Sequence, residues 1–153
     1  MAIEAPLSKY KRNSFKIYIA ICLIMGVWFA YDGYLNQGFI DKHTNEEGEP
    51  DTDLLINRVT PPFLAGGAVL LGLWLYAVRG RKVVAEENEL VVAAKKKIPY
   101  DAIESIDKTH FEDKGFFTVT YKRDTGAEAT CKLSDRQYDN LEAILDLLIA
   151  KIT

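Results

Sequence analysis

The segment Val59–Val78 contains no aspartate, glutamate, lysine, arginine or histidine, and an arginine flanks it at each end. A helix of about 20 residues is roughly 30 Å long, which matches the hydrocarbon core of a bilayer. A buried helix of a soluble protein is the alternative, but a chain of 153 residues has little other protein to surround such a helix. We therefore predict a transmembrane helix over residues 59–79, with Pro61 and Pro62 in its first turn, where missing N–H donors cost little.

Another apolar segment, residues 15–35, lies earlier in the sequence than Val59–Val78. Basic residues stand before it, so a cleaved secretory signal peptide is the competing interpretation. Cleavage after Ala30 would put Trp28 where a small residue is needed. We therefore expect an uncleaved transmembrane helix, in which Asp32 falls near the outer interface and has no special role.

The charges that flank the two segments predict the orientation. Basic residues lie before or at the start of the first segment (Lys9, Lys11, Arg12 and Lys16) and directly follow the second (Arg79, Arg81 and Lys82). The loop 36–58 instead carries six carboxylates against Lys42 and Arg58. By the positive-inside rule both termini face the cytoplasm and the acidic loop lies outside. The loop lacks the ligand order of an EF-hand, so we expect a solvated loop and no metal site, and His43 alone would not bind a metal.

Small residues recur along one face of each helix. Cys22, Gly26 and Ala30 are four residues apart, and Ala68 and Gly72 form a similar pair in the second helix. Small side chains allow close helix approach where lipid offers no hydrophobic drive. The stripes predict packing within a hairpin, packing against another membrane protein or a second copy, or both.

Residues 80–153 follow a different pattern, typical of a small antiparallel β domain. Short β-branched runs around Val83 and Leu90 predict a hairpin, and the segment Ile98–Asp101 is expected to break strand pairing at its proline. A strand is predicted from Ile103 to about Phe111.

The second half of this domain alternates regularly between apolar and polar residues. Phe117, Val119 and Tyr121 predict a half-buried strand, and the next strand turns Cys131 inward as a small apolar residue. Ser134 with Gln137 forms a capping-box pattern, and apolar residues at helical spacing follow. The sequence thus predicts an α+β protein: a two-helix transmembrane hairpin and then an antiparallel β domain capped by a C-terminal helix.

The stretch from Arg81 to Ile152 resembles the small bacterial pleckstrin-homology-like (PH-like) domains. The hairpin KVVAEENELVV, the connector IPYDAIESID, the strands FFTVTYKR and AEATCKL and the terminal helix carry this resemblance. Many members of that family place the domain directly after a two-helix membrane hairpin. The resemblance implies a multi-pass protein of the bacterial plasma membrane.

We expect no enzyme, no cofactor and no nucleic-acid partner, because the sequence has no catalytic motif and a net charge of -3. The leading hypothesis is a non-catalytic adaptor that binds a protein partner or forms a homo-oligomer. One alternative is an accessory or assembly subunit of a larger membrane complex. The other is a module that binds anionic lipid through Lys95, Lys96 and Lys97, where a solvated loop or an edge strand protected by lysine is the competing interpretation.

Overall fold

The computed structural model describes residues 2–152 and shows an α+β protein made of two compact units. The β unit comprises the residues up to Arg12 and those from Val78 onward, and the helical unit comprises Asn13–Ala77. The chain therefore enters the β unit, leaves it for the helical unit, and returns. Each unit is built on its own set of apolar residues.

Within the described residues the β unit contains a four-stranded and a three-stranded antiparallel sheet and a helix near the C-terminus. The first sheet has the order β1-β2-β3-β4, with strands Ile3–Pro6, Lys82–Ala85, Glu89–Val92 and Lys96–Pro99. The second has the order β5-β6-β7, with strands Ile103–Asp107, Phe116–Lys122 and Glu128–Ser134. Helix α4 spans Phe111–Lys114 and helix α5 spans Leu141–Ile152. One apolar core joins both sheets and α5.

The first strand, β1, lies near the N-terminus and precedes the long helices in the sequence. Strand β1 pairs antiparallel with β2, and Ala5 is completely buried in the core of the β unit. Leu7 continues the pairing with a bridge to Tyr138, and the fully buried Ser8 hydroxyl donates to the Arg136 carbonyl at 2.6 Å. From the sequence, residues 1–14 are predicted only to be a cytoplasmic segment before the hairpin. The structure adds that part of this segment is a strand of the folded unit.

The alternating strands predicted from the sequence are present. Phe117, Val119, Tyr121 and Cys131 are buried, as the period of two requires. In contrast, the prediction that strand pairing breaks over Ile98–Asp101 is wrong for Ile98 and Pro99. Both belong to the edge strand Lys96–Pro99, which pairs with β3. An edge strand tolerates a proline at its end, since the outer side of the strand has no ladder partner.

Two further boundaries differ from the prediction. Strand β5 ends at Asp107, and the expected strand residue Phe111 instead begins the short helix α4, which the left-handed Gly115 terminates. The predicted capping box at Ser134 is wrong, because Ser134 is the last residue of β7 and helix α5 begins only at Leu141. The residues between them form turns and the bridge from Tyr138 to Leu7. The Ser134 hydroxyl accepts the Arg136 N–H within a turn at 3.3 Å.

The helical unit contains the long helices α1, Lys9–Tyr34, and α3, Thr52–Val78, joined through the short helix α2, Gln37–Lys42. Both long helices are long and apolar enough to cross a membrane. They extend beyond the predicted spans 15–35 and 59–79, α1 at its start and α3 by seven residues at its start. Pro61 and Pro62 consequently lie inside α3 and not in its first turn, so each removes a hydrogen bond from the helix interior.

Replacing Leu7 tests whether the first segment belongs to the folded β unit. We expect Leu7→Ala to destabilise the unit by about 2–5 kcal/mol, because the side chain is 4% exposed and its removal leaves a cavity. The volume-conserving change Leu7→Met should cost less than about 1.5 kcal/mol. Hydrogen exchange of β2 and β6 amides in the full-length chain measures both effects. Unchanged exchange in Leu7→Ala would contradict a structural role for this segment.

Candidate functional site

Helices α1 and α3 pack against each other as an antiparallel pair. The rings of Phe15 and Trp74 lie 4.5 Å apart at one end, and Arg58 Nε donates to the Gly33 carbonyl at 2.9 Å at the other. Along α3 the less exposed positions follow a spacing of three and four residues: Leu54, Asn57, Pro61, Leu64, Ala68, Leu71 and Leu75. This spacing is typical of helices that meet along one seam.

The remaining faces of these helices are apolar and exposed. Val27, Trp28 and Phe63 are 71%, 68% and 73% exposed, and many other large apolar side chains of α1 and α3 are also uncovered. A soluble monomer rarely exposes an apolar surface of this kind. The helical unit therefore presents a surface that favours an apolar environment.

The small residues singled out in the sequence lie at different places relative to the seam. A Cβ at Gly26 would lie 3.6 Å from Leu64 Cβ, so Gly26 directly faces α3. Ala68 is 5% exposed, whereas a Cβ at Gly72 would meet no atom within 4 Å among the described residues. Cys22 and Ala30 are half-buried on α1.

Gly33, which is not part of the predicted small-residue stripe, lies directly against the backbone of α3. A Cβ at this position would lie 2.8 Å from the Asn57 carbonyl oxygen, closer than real Cβ contacts. Pro61 has no N–H for this carbonyl, and Pro62 has none for the carbonyl of Arg58. The Tyr34 hydroxyl donates to the Arg58 carbonyl at 3.0 Å, so a side chain of α1 satisfies a group that the proline frees.

Asp32 lies at the same end of α1 and has a structural role. Its carboxylate accepts from Trp28 Nε1 at 2.9 Å and from Asn36 Nδ2 at 2.8 Å. The Asn36 side chain in turn accepts from the Phe39 N–H at the start of α2. Asp32 therefore links the end of α1 to the cap of α2, which the sequence analysis did not anticipate.

The loop between α2 and α3 is folded. Thr44 and Pro50 form an isolated β-bridge, and the Asn45 side chain accepts from the N–H groups of Glu47 and Glu49. The loop closes with a hydrogen bond from the Asp51 N–H to the His43 carbonyl at 2.9 Å. The acidic residues near His43 are therefore held at defined positions.

His43, Asp51 and Asp53 meet at the end of this loop. His43 Nδ1 lies 2.7 Å from Asp51 Oδ2 and 3.9 Å from Asp53 Oδ2. The Leu54 N–H and the nearby His43 lower the pKa of Asp51, because both stabilise its charged form. Spacing alone did not reveal this cluster, because turn geometry brings its members together.

Lys95, Lys96 and Lys97 do not point to a common surface. Lys97 Nζ pairs with Glu89 at 2.6 Å, which raises the pKa of the lysine. Lys96 Nζ lies over the Tyr121 ring, 4.8 Å from its centroid, and therefore approaches the second sheet. Lys95 precedes β4 and is exposed. The competing interpretation as an edge strand accounts for the placement of Lys96 and Lys97.

The β unit has a groove of about 630 Å³ between α4 and α5. Its apolar members are Phe111, Leu145 and Ile149. Its charged members are Lys108, Glu112, Glu142 and Asp146. Three carboxylates against one ammonium group give the groove an acidic rim around an apolar floor.

Cys131 and His110 of the β unit both pack against neighbouring groups. Burial raises the pKa of the Cys131 thiol, which keeps the sulfur in its less nucleophilic form. His110 stacks on the Phe116 ring with centroids 5.4 Å apart. Both residues have an evident packing role.

The contact at Gly33 generates a prediction with a matched control. We expect Gly33→Ala to destabilise the helix pair by about 1–3 kcal/mol, because the added methyl group meets the α3 backbone. Gly72→Ala makes the same change in a helix at an open position and should be neutral or stabilising by up to about 1 kcal/mol. Unfolding by dodecyl sulfate, followed by tryptophan fluorescence, measures both. Equal stabilities would contradict the close approach at Gly33.

Comparisons with protein-family models, with curated proteins and with solved structures gave no match. The function of this chain is therefore argued from its own geometry.

Proposed function

We propose that this protein is a non-catalytic membrane-anchored adaptor of the bacterial plasma membrane. In this proposal the helices α1 and α3 form a transmembrane hairpin, and the β unit is a PH-like domain that binds a protein partner in the cytoplasm. The observation that carries the proposal is the insertion of the hairpin between two hydrogen-bonded neighbours, strands β1 and β2.

The insertion supports a hairpin that crosses the membrane twice. Strands β1 and β2 must lie on the same side of any membrane, because they share a ladder. Helices that leave from one strand and return to the other must then cross an even number of times. The exposed apolar faces of α1 and α3 support lipid contact, since lipid covers such surfaces at no cost.

The charges support the cytoplasmic side for the β unit. Lysines and arginines stand at the β-unit ends of both helices, at Lys9, Lys11 and Arg12 and at Arg79 and Arg81. The loop at the opposite end carries most of the carboxylates of the helical unit. This asymmetry is the one that the positive-inside rule describes.

The strand arrangement supports the PH-like interpretation. Within residues 2–152, four strands in one sheet, three in the other and the C-terminal helix α5 form the β unit. In this interpretation the seven strands and α5 together make up the PH-like domain, and the stretch from Arg81 supplies six of the strands. Strand β1 supplies the remaining one.

The groove between α4 and α5 supports the adaptor role. Its apolar floor offers area for burial, and its acidic rim favours a partner segment with lysine or arginine next to apolar residues. An accessory subunit that recognises its complex through the hairpin is the alternative function. Lipid binding through Lys95, Lys96 and Lys97 has less support, because Lys97 is paired and Lys96 approaches Tyr121.

The membrane arrangement is tested by labelling single cysteines in intact cells. In a chain whose native cysteines are replaced by alanine, we expect Glu47→Cys to react with a membrane-impermeant maleimide and Asp124→Cys to react only after lysis. Both sites are exposed, so a difference reports the membrane and not burial. Labelling of Asp124→Cys in intact cells, or release of the chain by alkaline carbonate, would contradict the proposal.

The adaptor role is tested by reversing charges at the groove. Partners that co-purify with the full-length chain should be retained at least tenfold less by the double variant Glu112→Lys, Asp146→Lys, because the acidic rim is lost. The control Glu87→Lys, Asp124→Lys makes the same charge change at exposed positions outside the groove. Equal retention by both variants would favour recognition through the hairpin and overturn the groove as the partner site.

A further inference from the structure

The loop between α2 and α3 brings three metal-ligating side chains together. His43 follows α2, Asp51 directly precedes α3, and Asp53 lies in the first turn of α3. The nearest donor atoms, one imidazole nitrogen and two carboxylate oxygens, all lie within 4.8 Å of one another. Among the residues that the structure describes, no other three histidine, cysteine, aspartate or glutamate side chains converge in this way.

The loop holds two of these side chains, His43 and Asp51, in place through contacts to other groups. The His43 ring packs on Phe39 with centroids 4.2 Å apart and is 16% exposed. Asp51 Oδ1 accepts the Leu54 N–H at 2.9 Å, so Oδ2 is the oxygen turned toward His43. The imidazole and the first carboxylate are therefore preorganised before any ion binds.

We propose that His43, Asp51 and Asp53 bind a divalent transition-metal ion of the zinc type. Bonds of about 2.0–2.2 Å in tetrahedral geometry separate neighbouring donor atoms by about 3.3–3.6 Å. The two separations from His43 Nδ1, 2.7 and 3.9 Å, lie on either side of this range. Binding of the ion requires the His43–Asp51 contact to widen and the exposed Asp53 side chain to rotate toward His43, and water fills the remaining coordination position.

The donor set selects the class of metal. An imidazole nitrogen suits zinc and its transition-metal neighbours, whereas calcium and magnesium prefer a shell of oxygens. The carboxylates supply two negative charges that compensate the charge of the ion. Nearby Glu46, Glu47 and Glu49 make the surroundings more negative still but are not part of the converging group.

The test is a zinc titration of the full-length chain in detergent, with any affinity tag removed. We expect one equivalent of Zn²⁺ to bind, with competition by Co²⁺ and none by equal concentrations of Ca²⁺ or Mg²⁺. His43→Ala and Asp53→Asn should each weaken Zn²⁺ binding at least tenfold, because each removes a ligand atom. Asp51→Asn should act in the same direction and still cap α3, because asparagine is also a good N-cap.

Two controls separate a defined site from general attraction of cations. The double variant Glu46→Gln, Glu47→Gln removes two charges from the same loop and should retain zinc affinity within about twofold. His110→Ala removes the other imidazole of the chain and should change nothing. Absence of stoichiometric zinc binding, or equal weakening by the glutamate variant and by Asp53→Asn, would overturn the proposal. Circular dichroism of each variant verifies that the helices remain folded.

Discussion

The pairing of β1 with β2 is the constraint on which the rest of this structure depends. These neighbouring strands are separated in sequence by the whole helical unit, so their ladder closes the chain around α1, α2 and α3. Ala5 and Val83 are register partners, and both are completely buried in the core. The β unit is therefore a fold with a large insertion, and residues 80–153 alone lack one of its strands.

At the end of α1 near Gly33, the contact between α1 and α3 involves backbone carbonyl groups of α3 that two prolines leave without their usual N–H donors. Pro61 and Pro62 remove N–H donors inside α3, which is costly unless another group compensates. Gly33 lets α1 approach the Asn57 carbonyl, and Tyr34 donates to the Arg58 carbonyl. The same prolines that weaken α3 as an isolated helix thus help to specify which face of α3 meets α1.

The sequence predicts those features that depend on local periodicity. The alternation in Phe116–Lys122 and Glu128–Ser134 identified two strands and their buried faces, and the apolar segments identified two long helices. Strand β1 has only four residues and pairs with a distant segment, so no local signal marks it. The turn before β4 has positive φ at Ala93 and Ala94, where the usual asparagine–glycine signal of such turns is missing. The cluster at His43 depends on loop closure, which spacing cannot reveal.

The similar lengths of α1 and α3 help β1 and β2 to pair. Helix α1 has 26 residues and α3 has 27, so each rises about 40 Å at 1.5 Å per residue. Because the two helices are antiparallel and nearly equal in length, α3 ends close to where α1 begins. The helix pair takes the place of a flexible connection, whose closure would cost entropy. Strands β1 and β2 can therefore pair although more than 70 residues separate them.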